Sequence, residues 1–204
     1  MTDEHDFDLI VIGSGPGGQK AAIQAAKLGA RVAVVERRER VGGGSIHTGT
    51  IPSKTLREAV LDLRKRRAID LTASAPPTEE WEALGAAYLR DRSSRVVAAE
   101  TAVVRDQLRR NGVTLLYGDA RFADANTIEI DDGRGTAPRH RAAEIVIAVG
   151  TVPAHPKDVS FDDPGVMDSD GILENGARVP RVLTVVGAGV IGVEYASMFA
   201  ALGA

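Results

Sequence analysis

Phe7-Asp8-Leu9-Ile10-Val11-Ile12-Gly13-Ser14-Gly15-Pro16-Gly17-Gly18 is the stretch on which the fold turns. An apolar run ends in glycines, an alanine-rich stretch follows to Leu28-Gly29, and a second apolar run occupies residues 32–35. That order predicts strand, glycine turn, helix, strand. Unbroken apolar strands suit a parallel sheet buried on both faces, and Ala21, Ala22, Ala25 and Ala26 let the helix lie close against it. The economical reading is a βαβ unit in an α/β protein.

The pattern returns near the other end. Residues 181–186 are followed by Gly187-Ala188-Gly189-Val190-Ile191-Gly192 and a helix-like stretch over 193–202. Gly13 to Ala30 spans 17 positions, as does Gly187 to Ala204, and both copies close on Leu-Gly-Ala. The first copy continues into its second strand from Arg31, whereas the second copy stops. The chain is therefore expected to be a fragment cut within a βαβ unit, with residues 1–180 as one domain and 181–204 as the truncated start of another. Half a unit without its second strand leaves a helix face and a strand edge uncovered.

Between the copies, residues 52–67 read as a helix, with Leu56, Val60 and Leu63 on one face and Pro52 in the first turn. The basic run Arg64-Lys65-Arg66-Arg67 then falls in the last turn, where it complements the helix dipole. Residues 70–79, with Pro76-Pro77, read as a loop, and 81–110 as a long helix. Along it Val96 and Val103, and Val97, Val104 and Leu108, recur at core-packing steps. Short β segments follow over 113–130, Asp131-Asp132-Gly133 supplies a turn, and 143–149 read as a buried strand ending at Gly150. Asp168 and Asp170 are expected to cap the turn after them.

Composition narrows the function classes. The 204 residues hold 25 basic and 28 acidic side chains, so the formal charge of -3 offers no electrostatic reason for a nucleic-acid partner. No cysteine occurs, which removes thiolate metal sites and thiol-disulfide chemistry from this chain. His5, His140 and His155 show no ligand spacing, and no metal is assigned. An acidic start without an apolar core argues against a signal peptide, and no apolar run approaches the length of about 20 residues needed to span a bilayer. A cytoplasmic protein is expected.

Gly13-x-Gly15-x-x-Gly18 between a strand and a helix, with Glu36 closing the next strand 18 residues later, fits a dinucleotide-binding fingerprint of the Rossmann type. The first glycine allows the tight turn and the second lets a pyrophosphate reach the backbone, where the helix N-terminus stabilises its charge. Glu36 is the acceptor for an adenosine ribose. Gly187-x-Gly189-x-x-Gly192 is a second fingerprint, but the acid that would set NAD against NADP lies beyond Ala204. Two such units suggest one nucleotide held and one exchanged, which calls for a hydride relay such as a flavin.

Residues 36–54, Glu-Arg-Arg-Glu-Arg-Val-Gly-Gly-Gly-Ser-Ile-His-Thr-Gly-Thr-Ile-Pro-Ser-Lys, resemble the signature segment of the class I pyridine nucleotide-disulfide oxidoreductases. Ser45 and Thr50 stand where that family carries its two redox cysteines, and neither hydroxyl cycles between oxidation states. Within the family the segment is most similar to the soluble transhydrogenase branch, which keeps one cysteine at the Ser45 position. The resemblance runs from Phe7 to Ala204, about the first half of a family member, and implies a Rossmann-like FAD-binding domain followed by the first strand and helix of an NAD(P)-binding one.

That resemblance implies that Gly13, Gly15 and Gly18 hold the FAD pyrophosphate and Glu36 the adenosine ribose, with Arg37 beside it. It implies that Gly42, Gly43, Gly44 and Ser45 form the loop passing the flavin, that Lys54 approaches flavin N5, and that the Ala120 backbone meets adenine. Gly150 ends the first part of the FAD domain, with Val149 in place of the usual threonine. Gly187, Gly189 and Gly192 receive NAD(P), and Glu194 resembles the acid that pairs with the lysine beside the nicotinamide. The implied activity is hydride transfer from NADPH through FAD to NAD+ by a homodimer. Alternatives are a cysteine-less NAD(P)H oxidase or diaphorase and an inactive FAD-binding remnant. The chain alone is expected to be inactive. His47 is a loop histidine for which a structural role is the simpler reading.

Overall fold

The computed structural model describes residues 5–69, 79–174 and 180–204. Its contacts divide into two units, residues 1–47 with 98–151 and residues 48–97 with 152–204. The expectation of a loop at 70–79 falls mostly outside the described residues, except that residue 79 already opens a helix.

The first unit is an α/β sheet. Strands β1 (Phe7–Ile12), β2 (Val32–Glu36), β3 (Thr114–Tyr117), β4 (Asp119–Phe122), β5 (Thr127–Asp131) and β6 (Arg139–Ile147) lie in the order β3-β2-β1-β6-β5-β4. Pairings β3-β2, β2-β1 and β1-β6 are parallel, while β6-β5 and β5-β4 are antiparallel. The valine run of β2 is buried at all five positions, as a strand between two neighbours should be. Helix α1 (Pro16–Lys27) connects β1 to β2 and presses Ala22, fully buried, inward. Pro16 opens it, where the missing N–H costs nothing. Ile10, Ala33, Val35, Ile128, Ile130 and Ala142 form one core.

Two expectations are corrected here. The strand predicted over 143–149 begins earlier, at Arg139, because antiparallel β5 offers it a partner from Arg139 onward. It is also not buried throughout, Ile147 and Val149 being exposed. On helix α4 (Glu79–Arg110) only one of the two expected stripes is inside, since Thr101, Val104 and Leu108 are buried while Val103 is 47% exposed. A straight helix advances its faces by 3.6 residues per turn, so residues 101, 104 and 108 share a face that 103 cannot join.

The second unit is helical. Helix α3 (Thr50–Ile69) contributes Leu56, Ala59, Val60 and Leu63 to a core completed by Leu89 of α4 and by Tyr195, Met198 and Phe199 of α6 (Val190–Leu202). Tyr88 donates its hydroxyl to Asp62 at 2.6 Å, and Arg66 pairs with the same carboxylate at 3.2 Å. The basic run is therefore shifted from its expected place, because α3 continues to Ile69 and leaves Arg64 and Lys65 above the last turn. Asp168 caps α5 (Ser169–Glu174) by accepting the Gly171 N–H at 2.8 Å, whereas Asp170 lies inside that helix. His155, stacked on Phe161, meets Asp168 at 2.7 Å and holds its carboxyl below the usual range, with the Gly171 N–H adding to the effect.

The strand expected over 181–186 is not formed. Val182 and Val186 are 84% and 96% exposed, and among the described residues no extended segment pairs with them. A strand exists only through its ladder, so apolar sequence without a neighbour stays irregular. No described helix is long and apolar enough to cross a membrane.

Asp8 fastens the entry of β2. It accepts the Arg31 N–H at 2.7 Å and pairs with the Arg31 guanidinium at 2.9 Å, and these contacts hold its carboxyl below the ordinary value. A lowered folded pKa means that the contribution is present above the unfolded Asp value of about 3.9 and is lost as pH falls through the folded value. Asp8→Asn is expected to lower Tm at neutral pH, with the gap to the parent closing as pH falls below the unfolded Asp value of about 3.9. Thermal melts across that range check it, and a gap independent of pH contradicts it.

Candidate functional site

The first glycine turn is shaped by two steric demands of the chain itself. Gly13 has φ 104°, and a Cβ there would lie 2.3 Å from the Ala148 carbonyl oxygen. At Gly18 a Cβ would sit 2.0 Å from the Gly13 carbonyl oxygen and 3.2 Å from Val11 Cγ1, so only glycine lets α1 start this close to β1. Gly15 differs. Its φ of −67° and ψ of 178° are open to any residue, and a Cβ would meet nothing nearer than Gly43 Cα at 3.9 Å. Among the described residues nothing requires glycine at 15, and the N-terminus of α1 that it caps carries no side-chain cap.

A second glycine pair faces the first. Gly43, at φ 64°, would place a Cβ 2.7 Å from Gly15 Cα, and Gly42, at φ 122°, would drive one to 2.6 Å from Ile46 Cδ1. Bare backbone at 13–15 and 42–43 thus forms one wall beside uncapped helix N–H groups, the chemistry that accepts a phosphate. Gly44 and Ser45 begin the short helix α2 (Gly44–His47), the first exposed and the second half-buried. His47 Nε2 lies 3.0 Å from the Val41 carbonyl, a contact that anchors the loop.

Glu36 closes β2 and is only 7% exposed. Oε2 accepts the Ser14 N–H at 3.2 Å and the Ser14 hydroxyl, and Oε1 accepts the Arg38 N–H at 3.0 Å. The Ser14 hydroxyl, fully buried, also accepts the Gly42 N–H at 3.0 Å, and Gln19 donates Nε2 to the Ser14 carbonyl at 2.7 Å. Sequence reading passed over Ser14 and Gln19. The only signal was a polar residue between the first two glycines. Arg37 is exposed.

The Glu36 carbonyl accepts the Gly118 N–H at 3.0 Å, which brings the start of β4 to the same strand end. Gly118, at φ 142°, leaves no room for a Cβ, which would stand 2.5 Å from the Asp131 carbonyl oxygen. Two residues on, Ala120 is half-buried opposite Ile130. Gly150 is exposed at φ 70°.

In the helical unit the second fingerprint repeats the first in detail. Gly187 has φ 112°, Gly189 has φ −72° and ψ 172°, and a Cβ at Gly192 would lie 2.5 Å from the Gly187 carbonyl oxygen and 3.2 Å from Val185 Cγ1. The turn therefore forms without the strand. Lys54 is exposed on α3 and Glu194 half-buried on α6, two helices that share a core. They make no ion pair with each other among the described residues. Beside Glu194, burial pushes the Tyr195 hydroxyl up to about 12, with the Glu194 and Asp170 carboxylates adding to it.

The model of the pyridine nucleotide-disulphide oxidoreductases matches residues 7–204. The chain belongs to that family. It is 50% identical over 199 residues to a soluble pyridine nucleotide transhydrogenase of Mycobacterium bovis, covering 97% of this chain and 42% of the relative. A protein of the same name from Erwinia tasmaniensis is 43% identical over 204 residues, 99% of this chain and 42% of that one. Among solved structures, the HOCl-induced flavoprotein disulfide reductase RclA from Escherichia coli is similar with a TM-score of 0.78 at 28% identity, covering 97% of this chain and 40% of that one. The chain thus spans 42% of the length of these curated family members.

The two glycine types predict different stability effects. Gly18→Ala is expected to destabilise by about 1–3 kcal/mol through overpacking. Gly15→Ala is expected to leave stability within about 1 kcal/mol of the parent, because its backbone is unstrained. Urea melts of both variants check this, and equal losses would contradict the distinction.

Proposed function

We propose that this chain is the N-terminal, FAD-binding part of a flavoprotein that transfers hydride between NADPH and NAD+. The observation that carries the reading is Gly15, a glycine without an internal steric reason, set against Gly43 at an uncapped helix N-terminus. Such a position suits a ligand whose phosphates come to the backbone. When bound, FAD supplies a carrier that takes up and releases a hydride.

In this reading Gly13, Gly15, Gly18, Gly42 and Gly43 hold the pyrophosphate, with Gly44 and Ser45 continuing the loop. Glu36 accepts from the adenosine ribose, Arg37 lies beside it, and the Ala120 backbone and Gly150 complete the cofactor contacts. Lys54 is the cation that stabilises electron density on the reduced cofactor. Residues 1–180 form the FAD domain, and 181–204 begin the NAD(P) domain, where Gly187, Gly189 and Gly192 receive the exchanging nucleotide and Glu194 acts near the nicotinamide. The 204 residues supply no thiol pair, so electrons taken from one nicotinamide are passed on without a disulfide in this chain. The names of the relatives support pyridine nucleotides as the exchanging substrates. The assembly is a homodimer, and the location cytoplasmic.

Titration of the chain with FAD is expected to show saturable binding, and its absence overturns the cofactor assignment. Glu36→Ala is expected to weaken FAD at least about tenfold, as loss of a hydrogen bond to a charged group does. For a full-length protein containing this chain, NADPH-dependent reduction of thio-NAD+ without oxygen uptake supports transhydrogenation. Oxygen consumption matching NADPH loss identifies an oxidase instead.

A further inference from the structure

We infer that Ser14 is the positioning residue of the nucleotide site, tying the acid that meets the ribose to the loop that lies along the phosphates. The inference rests on the dinucleotide reading above and assigns it a residue that the glycine fingerprint treats as interchangeable.

A serine hydroxyl has one proton and two lone pairs. In Ser14 the proton goes to Glu36 Oε2 and a lone pair receives the Gly42 N–H at 3.0 Å. The backbone of the same residue donates to Oε2 at 3.2 Å and accepts from Gln19 Nε2 at 2.7 Å. Ser14 is fully buried, and these four bonds lock it in one orientation. Glu36 offers about four acceptor sites. Three are taken by donors of this chain, two at Oε2 and one at Oε1 from the Arg38 N–H. Capacity for an incoming hydroxyl is therefore left at Oε1, while Ser14 occupies Oε2.

The same hydroxyl also reaches the second glycine pair. Gly42 N–H bonded to Ser14 fixes the residue before Gly43, whose backbone closes on Gly15. A ribose hydroxyl arriving at Glu36 therefore bears on the Gly42-Gly43 loop through two hydrogen bonds. Removing the Ser14 hydroxyl leaves the Gly42 N–H without its partner and frees Glu36 to turn.

The test is calorimetric binding of ADP and of 2′,3′-dideoxy-ADP, which lacks both ribose hydroxyls, to the full chain and to Ser14→Ala, Glu36→Ala and the double variant. Ser14→Ala is expected to weaken ADP about tenfold. It should also shrink the preference for ADP over the dideoxy nucleotide and cost less in the Glu36→Ala background than in the unaltered chain. Amide exchange at Gly42 in the unaltered chain supplies a measurement that needs no variant, and ADP should slow it more than the dideoxy nucleotide does. Equal losses for both nucleotides, full additivity with Glu36→Ala, or a Gly42 amide indifferent to bound ADP would overturn the role of Ser14 while leaving the dinucleotide reading intact. An unaltered chain that binds neither FAD nor ADP removes that reading and this inference together.

Discussion

The contact between Gly18 and the Gly13 carbonyl is the constraint from which the first site follows. Without a side chain at 18, α1 begins directly behind the end of β1, and its first N–H groups stand beside residues 13–15. A Cβ at that place would have to push the helix off the strand. The positive φ of Gly13 turns the chain between the two elements, and the Ala148 carbonyl fills the space that its missing side chain leaves. The ends of β1, β6 and α1 are thus one sterically interlocked corner. The second fingerprint forms the same close contact between Gly192 and Gly187 although no strand precedes it. The two turns therefore share the same close contact whether or not a paired strand precedes them.

Around that corner the chain spends its buried polar groups on holding backbone open. Glu36 sets a carboxyl group in a nearly closed position, which costs free energy unless donors surround it. Ser14 and the Arg38 N–H provide them. The same serine secures Gly42, and Gly43 comes to rest against Gly15. Glycines here have three distinct causes: conformation at Gly13, Gly42 and Gly43, packing at Gly18, and at Gly15 space alone. Gly15, like Gly17, meets no steric demand among the described residues, but Gly15 faces Gly43 at the helix N-terminus, where a ligand's phosphates would come.

Much of this was legible in the residues. Periodicity and punctuation located β1, α1 and β2, and the acid at 36 was recognisable because it closes the second strand of a glycine fingerprint. The resemblance over residues 36–54 led to the family that the comparisons bear out. Ser14 was not legible, since its importance comes from the approach of Glu36 and Gly42, residues 22 and 28 positions away in sequence. The extension of β6 back to Arg139 was hidden for a similar reason. Its polar start reads as a loop until β5 lies beside it. The buried stripe of α4 was read in duplicate, because valines at 96, 97, 103 and 104 fit two faces and sequence alone does not say which one meets a core.

By itself the sequence determined the glycine turns, the long helices and the βαβ order, because those depend on backbone freedom and on the spacing of apolar residues along a few turns of chain. Tertiary structure decided everything that needs a partner brought from a distance. Residues 182–186 and 32–35 are both rich in valine, yet only the latter form a strand, since β1 and β3 supply hydrogen bonds on either side. Glu36 is an acid at a strand end in the sequence. It becomes a buried, oriented acceptor only when Ser14 folds back onto it. Hydrogen bonds between distant residues have no signature in local composition, which is why the turn could be read and the network that aims it could not.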